Sequence, residues 1–192
     1  PHMTVAGNVA FHLAWLGISA SGAETGAKLG VLTLAAMIAA FGGRVTPMFT
    51  RNALTASGEK KDLPVVRDWL DALGIASAFI LALIAPFVSG GIGLAAIAAI
   101  TAIANAGRLA GWRTTAILDR PIVWSLHLGF AMLAAGYGAL AVHWAGGPIG
   151  QAAALHLLAI GAIGGMTLAV MSRAALGHTG RPLVAAPAIA WA

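Results

Sequence analysis

The chain contains no cysteine, one tyrosine and very few charged residues. Without cysteine it has no disulfide bonds and no thiolate metal ligands, and its redox compartment stays open. Charged residues make up 9% of the 192 residues and hydrophobic residues 59%, whereas a soluble domain carries roughly 25% charged residues. So few charged side chains cannot cover a surface that faces water. The sequence therefore predicts an integral membrane protein whose main partner is the lipid bilayer.

Long apolar runs supply the predicted spans, since a helix that crosses a bilayer needs about 20 mostly apolar residues. Polar turns divide the sequence into about six such runs, and the longest apolar stretch is broken at Pro86 and at Gly90 and Gly91. No alternation typical of barrel strands appears. The predicted fold is all-α, a single bundle over residues 1–192 whose transmembrane helices cover about 5–19, 28–43, 69–87, 92–108, 122–145 and 151–173.

Basic residues fall on one side of this predicted topology. Six helices joined by hairpins place the Arg44–Arg67 loop, the Arg108–Arg120 loop and the tail after Met171 on the same side, with every basic residue except Lys28. Because positive residues stay cytoplasmic, these loops and the tail are predicted to be cytoplasmic in a multi-pass protein of a bacterial inner membrane. The net charge of +5 then reflects topology, and no nucleic-acid partner is predicted.

Tryptophans and glycines support the same arrangement. Gly161 and Gly165 have the spacing that allows two membrane helices to approach closely. Aromatic belts mark the two membrane boundaries, and the tryptophans predicted to lie there are Trp69, Trp112 and Trp124 on the basic side and Trp15 and Trp144 on the other.

Histidines are the polar residues that most favour chemistry. His12, His127, His143 and His156 lie in or near spans, and His178 follows the last one. Polar groups are costly inside a membrane, and imidazole is a common ligand of metals and of haem iron. For any single histidine, a hydrogen bond to a neighbouring helix is an equal alternative. Four histidines in or near the spans of so apolar a chain favour a role for at least one of them as a ligand of a metal or of haem iron.

Depth in the bilayer predicts how the histidines pair. At 1.5 Å per residue, His12 lies roughly 10 Å and His156 roughly 8 Å from the less basic side. These two form one candidate site if the first and sixth helices are neighbours. His127 and His178 form a second candidate site at the basic side. His143, beside Trp144, fits an interfacial role better.

Other polar and soft residues carry weaker signals. Met166 and Met171 on the sixth helix could offer thioethers to copper, although methionine usually fills a core. Asp68 and Asp71 suit the first turn of the third helix, where the helix dipole favours carboxylates. The sequence has no phosphate-cradling loop, metalloprotease helix or nucleophile elbow, so no catalytic residue is assigned.

Several stretches resemble the NnrS family of bacterial membrane proteins. They are GGRVTPMFTRN at 42–52 and ALHLLAIGAIGGMTL at 154–168, continued by MSR at 171–173 and LGHTGRP at 176–182. NVAFH at 8–12 and WSLHLG at 124–129 support them. The resemblance covers nearly the whole chain, and it indicates the C-terminal half of a longer protein with about twice as many spans.

The resemblance implies binding of haem (of b type) and also of copper, in nitric oxide metabolism or protection against nitrosative stress. Nitric oxide is then a ligand, and the further half or a homo-oligomer is a partner. The family motifs contain His12, His127 and His156 as candidates for haem, and His127, His156 and His178 as candidates for a metal ion. Supporting residues are Arg44, Arg173, Arg181, Met166 and Met171.

Two other classes of function stay open at this stage. A transporter or channel would line a polar path with the histidines and would use broken helices near the membrane midplane. A structural membrane subunit would bind a larger partner and no pigment. Any enzymatic activity would be redox chemistry of nitric oxide at haem or copper, and the sequence favours a protein that is not an enzyme.

Overall fold

The computed structural model describes residues 2–19 and 21–181, and within these ranges the chain is helical with no strand. The helices are α1 (His2–Trp15), α2 (Gly22–Met37), α3 (Gly43–Ala56), α4 (Asp68–Ile84), α5 (Ile92–Ala110), α6 (Pro121–Trp144), α7 (Gln151–His156) and α8 (Gly165–His178). A first π segment (Ile38–Gly42) joins α2 to α3, and a second (Leu157–Gly164) joins α7 to α8. The predicted all-α membrane bundle is confirmed.

Five continuous helices of the described chain are long and apolar enough to cross a membrane. They are Gly22–Ala56, Asp68–Phe87, Ile92–Ala110, Pro121–Trp144 and Gln151–His178. The remaining predicted span corresponds to α1, which has 14 residues and would be only about 21 Å long at 1.5 Å per residue. It packs along α2 and adds a shorter sixth helix to the bundle.

The second predicted span, residues 28–43, belongs to a helix that continues as far as Ala56. The predicted Arg44–Arg67 loop is helical as far as Ala56, because α3 is amphipathic. Gly43, Thr46, Thr50 and Leu54 are buried against the bundle at helical spacing, while Arg44 and Arg51 face outward. Arginine and proline suggested a loop, but Pro47 lies inside the continuous Gly22–Ala56 helix, shortly after the first π segment. Membrane helices tolerate proline where local π adjustments and neighbouring helices satisfy the freed backbone groups.

Helix α6 forms the centre of the bundle, in contact with α5, α3, α7, α8 and the second π segment. Its inward side chains, among them Leu126, Phe130, Leu133 and Leu140, are 0% exposed. Glycines bring the second π segment against α6, since a Cβ at Gly161 would lie 2.8 Å from the Cβ of Met132. The close approach predicted at Gly161 is confirmed.

The tryptophans of the predicted belts differ in exposure, and Trp124 is intermediate. Trp15 and Trp69 are 82% and 64% exposed, as residues of an interfacial belt should be. The belt prediction is wrong for Trp112 and Trp144, which are 1% and 8% exposed. Trp112 is buried because its ring packs against Phe130, with ring centroids 4.5 Å apart.

Contacts between distant segments bring several arginines together at the end of the bundle where α3 ends and α4 and α6 begin, called here the basic end. Arg120 donates hydrogen bonds to the Ala53 carbonyl and the Ser57 hydroxyl. Arg51 donates to the Pro64 carbonyl at 2.9 Å, and Arg113 pairs with Asp62 at 3.4 Å. Lys28 pairs instead with Glu24, 2.7 Å away near the start of α2.

The loop between α4 and α5 turns at Gly90 and Gly91, whose φ angles are +126° and +117°. Positive φ angles of this kind favour glycine.

Candidate functional site

The histidines singled out by the sequence occupy two kinds of environment. His12, His156 and His178 are exposed on the bundle surface. His127 is 1% exposed, inside the bundle near the basic end. A ring nitrogen binds a metal only if its lone pair is free, so the hydrogen bonds of each imidazole decide which histidines are available.

His12 presents a free ring nitrogen. Its Nδ1 lies 2.9 Å from the carbonyl oxygen of Asn8, one turn earlier in α1. A carbonyl oxygen only accepts, so Nδ1 carries the proton and Nε2 keeps its lone pair. Histidines that ligate metals commonly have this arrangement, with the second nitrogen bonded to a carbonyl or carboxylate.

An apolar hollow adjoins the His12 ring. A cavity of about 370 Å³ is lined by His12, Trp15 and Leu16. A second hollow of about 620 Å³ is lined by Phe11, Trp15 and residues of the turn that leads into α2. The rings of Phe11 and Trp15 have their centroids 5.9 Å and 6.4 Å from that of His12. A flat apolar group could therefore lie against the exposed imidazole.

His156 ends α7, and the second π segment begins at the next residue. No hydrogen bond joins its ring to another group in the part of the chain that the structure describes. π segments frequently occur at functional sites, because they shift the side chains out of the regular helical register. His156 thus presents two unengaged nitrogens on the bundle surface.

His127 has both ring nitrogens engaged. Thr50 Oγ1 donates its proton to the Thr46 carbonyl at 2.9 Å, so it can only accept from Nε2 of His127, 2.7 Å away. Nε2 is therefore protonated. Nδ1 then accepts from the hydroxyl of Thr114 at 2.9 Å. A metal at His127 would have to displace a threonine, so the geometry favours a structural role that joins α3, α6 and the loop before α6.

The structure does not bring the predicted histidine pairs into contact. Within residues 2–19 and 21–181, no hydrogen bond or ring contact joins two histidines, and no group of three His, Cys, Asp or Glu side chains could hold a metal ion. α2 packs against both α1 and the second π segment, so it neighbours both elements near His12 and His156. The pairing of these two histidines stays a prediction.

The predicted supporting residues are scattered. Arg44 is exposed at the start of α3, and the guanidinium of Arg173 lies 3.9 Å from the centroid of the Phe49 ring. Arg181 is the last described residue, and Pro182 of the same motif lies outside the described residues. Met166 is 2% exposed and Met171 is 64% exposed. Met166 is therefore a core residue, and only Met171 is accessible.

A buried polar cluster at the basic end was missed by the sequence analysis. The side chain of Arg108 is 1% exposed, and its Nε lies 2.6 Å from Oδ1 of Asp71. Its Nη1 donates to the Ala39 carbonyl and to Oδ1 of Asn105, both at 2.8 Å. The sequence feature that could have indicated this cluster is Asn105, a polar residue one helical turn before Arg108 on a mostly apolar helix. Position alone suggested a loop arginine at Arg108 and a helix-start carboxylate at Asp71.

Comparison with known proteins decides the family. The NnrS family model, described as "NnrS protein", matches residues 2–192. The chain belongs to the NnrS family. Membership links it, at the level of the family, to the nitric oxide response. A search of curated proteins and a search of solved structures each found no match to the chain.

Two of the stretches quoted for the NnrS resemblance have clear structural roles. The 42–52 stretch supplies Gly43, which packs against Arg108, and Thr50, which holds His127. The 154–168 stretch contains His156, the second π segment and Gly161. The first stretch therefore builds the packed basic end, while the second combines helix packing with an exposed histidine.

Proposed function

We propose that this NnrS-family chain binds haem through His12 and takes part in the response to nitric oxide. Family membership supports the nitric oxide link, and the free Nε2 of His12 beside an apolar hollow supports the ligand. His12 is the exposed histidine in the family motifs whose other nitrogen is fixed by a backbone carbonyl. That hydrogen bond orients the ring and keeps the Nε2 lone pair directed outward.

The residues around His12 fit a haem face. The hollows beside it are lined by the aromatic rings of Phe11 and Trp15 and by the Leu16 side chain, so they would exclude water from one side of the macrocycle. When bound, haem would supply an iron whose open position takes nitric oxide. Either onward chemistry of nitric oxide or its sequestration away from cellular iron is compatible with this site.

The exposed position of His12 favours a further partner at this surface. An imidazole on an apolar membrane helix is costly unless something covers it. A second copy of the chain or a further half of a longer protein would cover it. His156, with both nitrogens free, is the alternative haem ligand, contributed by the same copy or by a neighbouring one, and a single histidine ligand leaves the iron open to nitric oxide.

Copper is proposed only as a metal shared with such a partner. The described residues gather no group of three nitrogen or carboxylate donors, so one copy would supply part of a copper site. His156, His178 and the exposed thioether of Met171 are the donors it would offer. By the positive-inside rule we also propose that the protein lies in the bacterial inner membrane with the basic end cytoplasmic.

An absorbance spectrum tests the haem proposal. The full chain is expressed with adequate haem, purified in detergent, and measured oxidised and reduced, with and without nitric oxide. We expect a Soret band that shifts with nitric oxide in the parent chain, and loss of most haem in His12→Ala. The side chain of His12 is exposed and bonds only within its own helix, so this variant should still fold.

His143→Ala is the matched control. Its Nδ1 lies 3.0 Å from the Ile149 carbonyl, so it has the same tautomer as His12, but it does not line the hollow beside His12. It should keep the haem content of the parent. Full haem content in His12→Ala would remove His12 as the ligand. A colourless parent chain, despite haem supply, would show that one copy of this chain does not hold haem by itself.

A further inference from the structure

A groove at the basic end lies between the start of α3 and the start of α4. Its volume is about 400 Å³, and its lining includes Gly43, Arg44, Pro47, Arg51, Asp68 and Asp71. The walls therefore combine guanidinium groups, carboxylates and apolar surface. Neither the histidine sites nor the proposed haem contact uses these residues.

Behind the groove wall, Arg108 keeps one donor group without an acceptor. Nη2 of Arg108 is buried, and it has no hydrogen-bond partner among residues 2–19 and 21–181. It lies against Gly43, so closely that a Cβ at this position would overlap the guanidinium, and Nε of the same side chain is bonded to Asp71. Gly43 and Asp71 both line the groove. Gly43 and Asp71 therefore separate the groove from the buried guanidinium of Arg108, which is not itself a lining residue.

The charges around the groove leave one positive charge in excess. Asp71 is neutralised by Arg108, which leaves Arg44 and Arg51 against Asp68. Arg51 donates one of its N–H groups to the Pro64 carbonyl. Arg44 is exposed, and among the described residues it has no hydrogen bond or ion pair. A ligand with a single negative charge would balance the site.

The surroundings identify a lipid as the source of that charge. Met48 and Val66, which complete the lining, are 48% and 44% exposed, and Trp69, which follows the lining residue Asp68 in sequence, is 64% exposed. An apolar rim with a neighbouring tryptophan at a helix end is typical of the membrane interface. Arginine is also well suited to phosphate, which it binds through paired hydrogen bonds.

A haem propionate bound at His12 is too distant to occupy this groove. Gly26 of α2 packs against Phe11, the neighbour of His12. Gly43 lies roughly 25 Å farther along the same continuous helix at 1.5 Å per residue, more than the width of a haem. We propose that the groove binds the phosphate group of a monoanionic phospholipid, with Arg44 and Arg51, the two arginines that line it, as its principal donors.

Native mass spectrometry of the purified full chain tests this proposal with phosphatidylglycerol as the probe. We expect a retained lipid adduct whose affinity falls about fivefold in Arg44→Gln, since one exposed charged contact is lost. Arg113→Gln is the matched control, because Arg113 is an exposed arginine of the basic end outside the groove. Its adduct should match that of the parent. Circular dichroism confirms that both variants are folded.

Two competing outcomes would overturn the proposal. Equal loss of the adduct in Arg44→Gln and Arg113→Gln would mean that the lipid is held by general charge attraction. Displacement of the adduct by inorganic phosphate, with stabilisation of the chain by phosphate alone, would assign the groove to a free anion. Retention of the adduct against phosphate, with the loss confined to Arg44→Gln, supports the lipid site.

Discussion

Nε of Arg108 lies 2.6 Å from Oδ1 of Asp71, and this contact ties α5 to α4 at the basic end of the bundle. The same guanidinium reaches the Ala39 carbonyl of the first π segment through Nη1. One side chain therefore holds three helices together. The guanidinium also lies near two rings, with its central carbon 5.3 Å from the centroid of Phe130 and 5.9 Å from that of Trp112.

Removal of the Asp71 charge should destabilise the bundle. Asp71→Asn keeps the shape of the side chain but leaves the charge of Arg108 buried without its partner. We expect the free energy of unfolding to fall by about 2–3 kcal/mol, less than the roughly 3–5 kcal/mol for fully buried pairs, because Asp71 is partly exposed. Thermal unfolding in detergent, followed by circular dichroism, measures the change.

The exposed ion pair between Arg113 and Asp62 provides the control for this prediction. Its side chains are 45% and 70% exposed and its atoms lie 3.4 Å apart. Asp62→Asn should therefore change the free energy of unfolding by less than about 1 kcal/mol. Equal effects of the two substitutions would show that burial does not strengthen the Arg108 pair.

Gly43→Ala should destabilise the chain through a steric clash. The added methyl group would overlap the guanidinium of Arg108, which is fixed by three hydrogen bonds and cannot move freely. We expect a loss of at least about 2 kcal/mol, similar to other overpacked cores. Gly30→Ala is the control, since a Cβ at Gly30 meets no atom within 4 Å. That variant should be neutral or more stable by up to about 1 kcal/mol, and a similar loss in both would contradict the clash.

Much of the helical architecture follows from composition, because lipid leaves a backbone few alternatives to helices. The apolar runs, the break at Pro86 and the turn at Gly90 were all visible in the sequence. The extension of the second helix to Ala56 was not. Arg44 and Pro47 are typical of a loop. The face formed by Thr46, Thr50 and Leu54 is buried only because α3 packs against α6 and the 3-10 turn before α6, which local sequence does not reveal.

The candidate site was predicted only in part, because the contacts that decide it join residues distant in sequence. Residue type identifies histidines, but availability depends on hydrogen bonds with partners distant in sequence. Thr50 and Thr114, which engage the two ring nitrogens of His127, lie 77 and 13 residues away along the chain, whereas the partner of His12 is one turn away. Arg108 shows the converse case, since its partners Asp71 and Ala39 become neighbours only when α2, α4 and α5 pack.

The haem-free chain should contain histidines in opposite tautomers. His127 is predicted to carry its proton on Nε2, because Thr50 can only accept there, and His12 on Nδ1, because it donates to the Asn8 carbonyl. ¹⁵N NMR of the chain labelled at histidine distinguishes the two forms. Spectra of His127→Gln and His12→Gln assign the signals. A proton on Nδ1 of His127 would disprove the hydrogen-bond chain through Thr50.

Thr46 and Thr50 offer a direct test of buried hydroxyl groups one turn apart in α3. Both residues are 0% exposed. Thr50 Oγ1 bonds to the Thr46 carbonyl and to His127, whereas Thr46 Oγ1 has no hydrogen-bond partner in the described part of the chain. Substitution by valine preserves the shape of each side chain and removes only the hydroxyl function, so the two variants control each other.

The two valine variants should change stability in opposite directions. Thr50→Val leaves Nε2–H of His127 without an acceptor, and we expect a loss of about 1–3 kcal/mol in the free energy of unfolding. Thr46→Val removes a hydroxyl that is buried without a partner, so it should be neutral or stabilising by about 1 kcal/mol. Thermal unfolding in the same detergent compares them. A clear loss in Thr46→Val would mean that its hydroxyl has a partner in the folded protein, such as a bound water beside His127. The polar interior at the basic end would then extend beyond the protein side chains themselves.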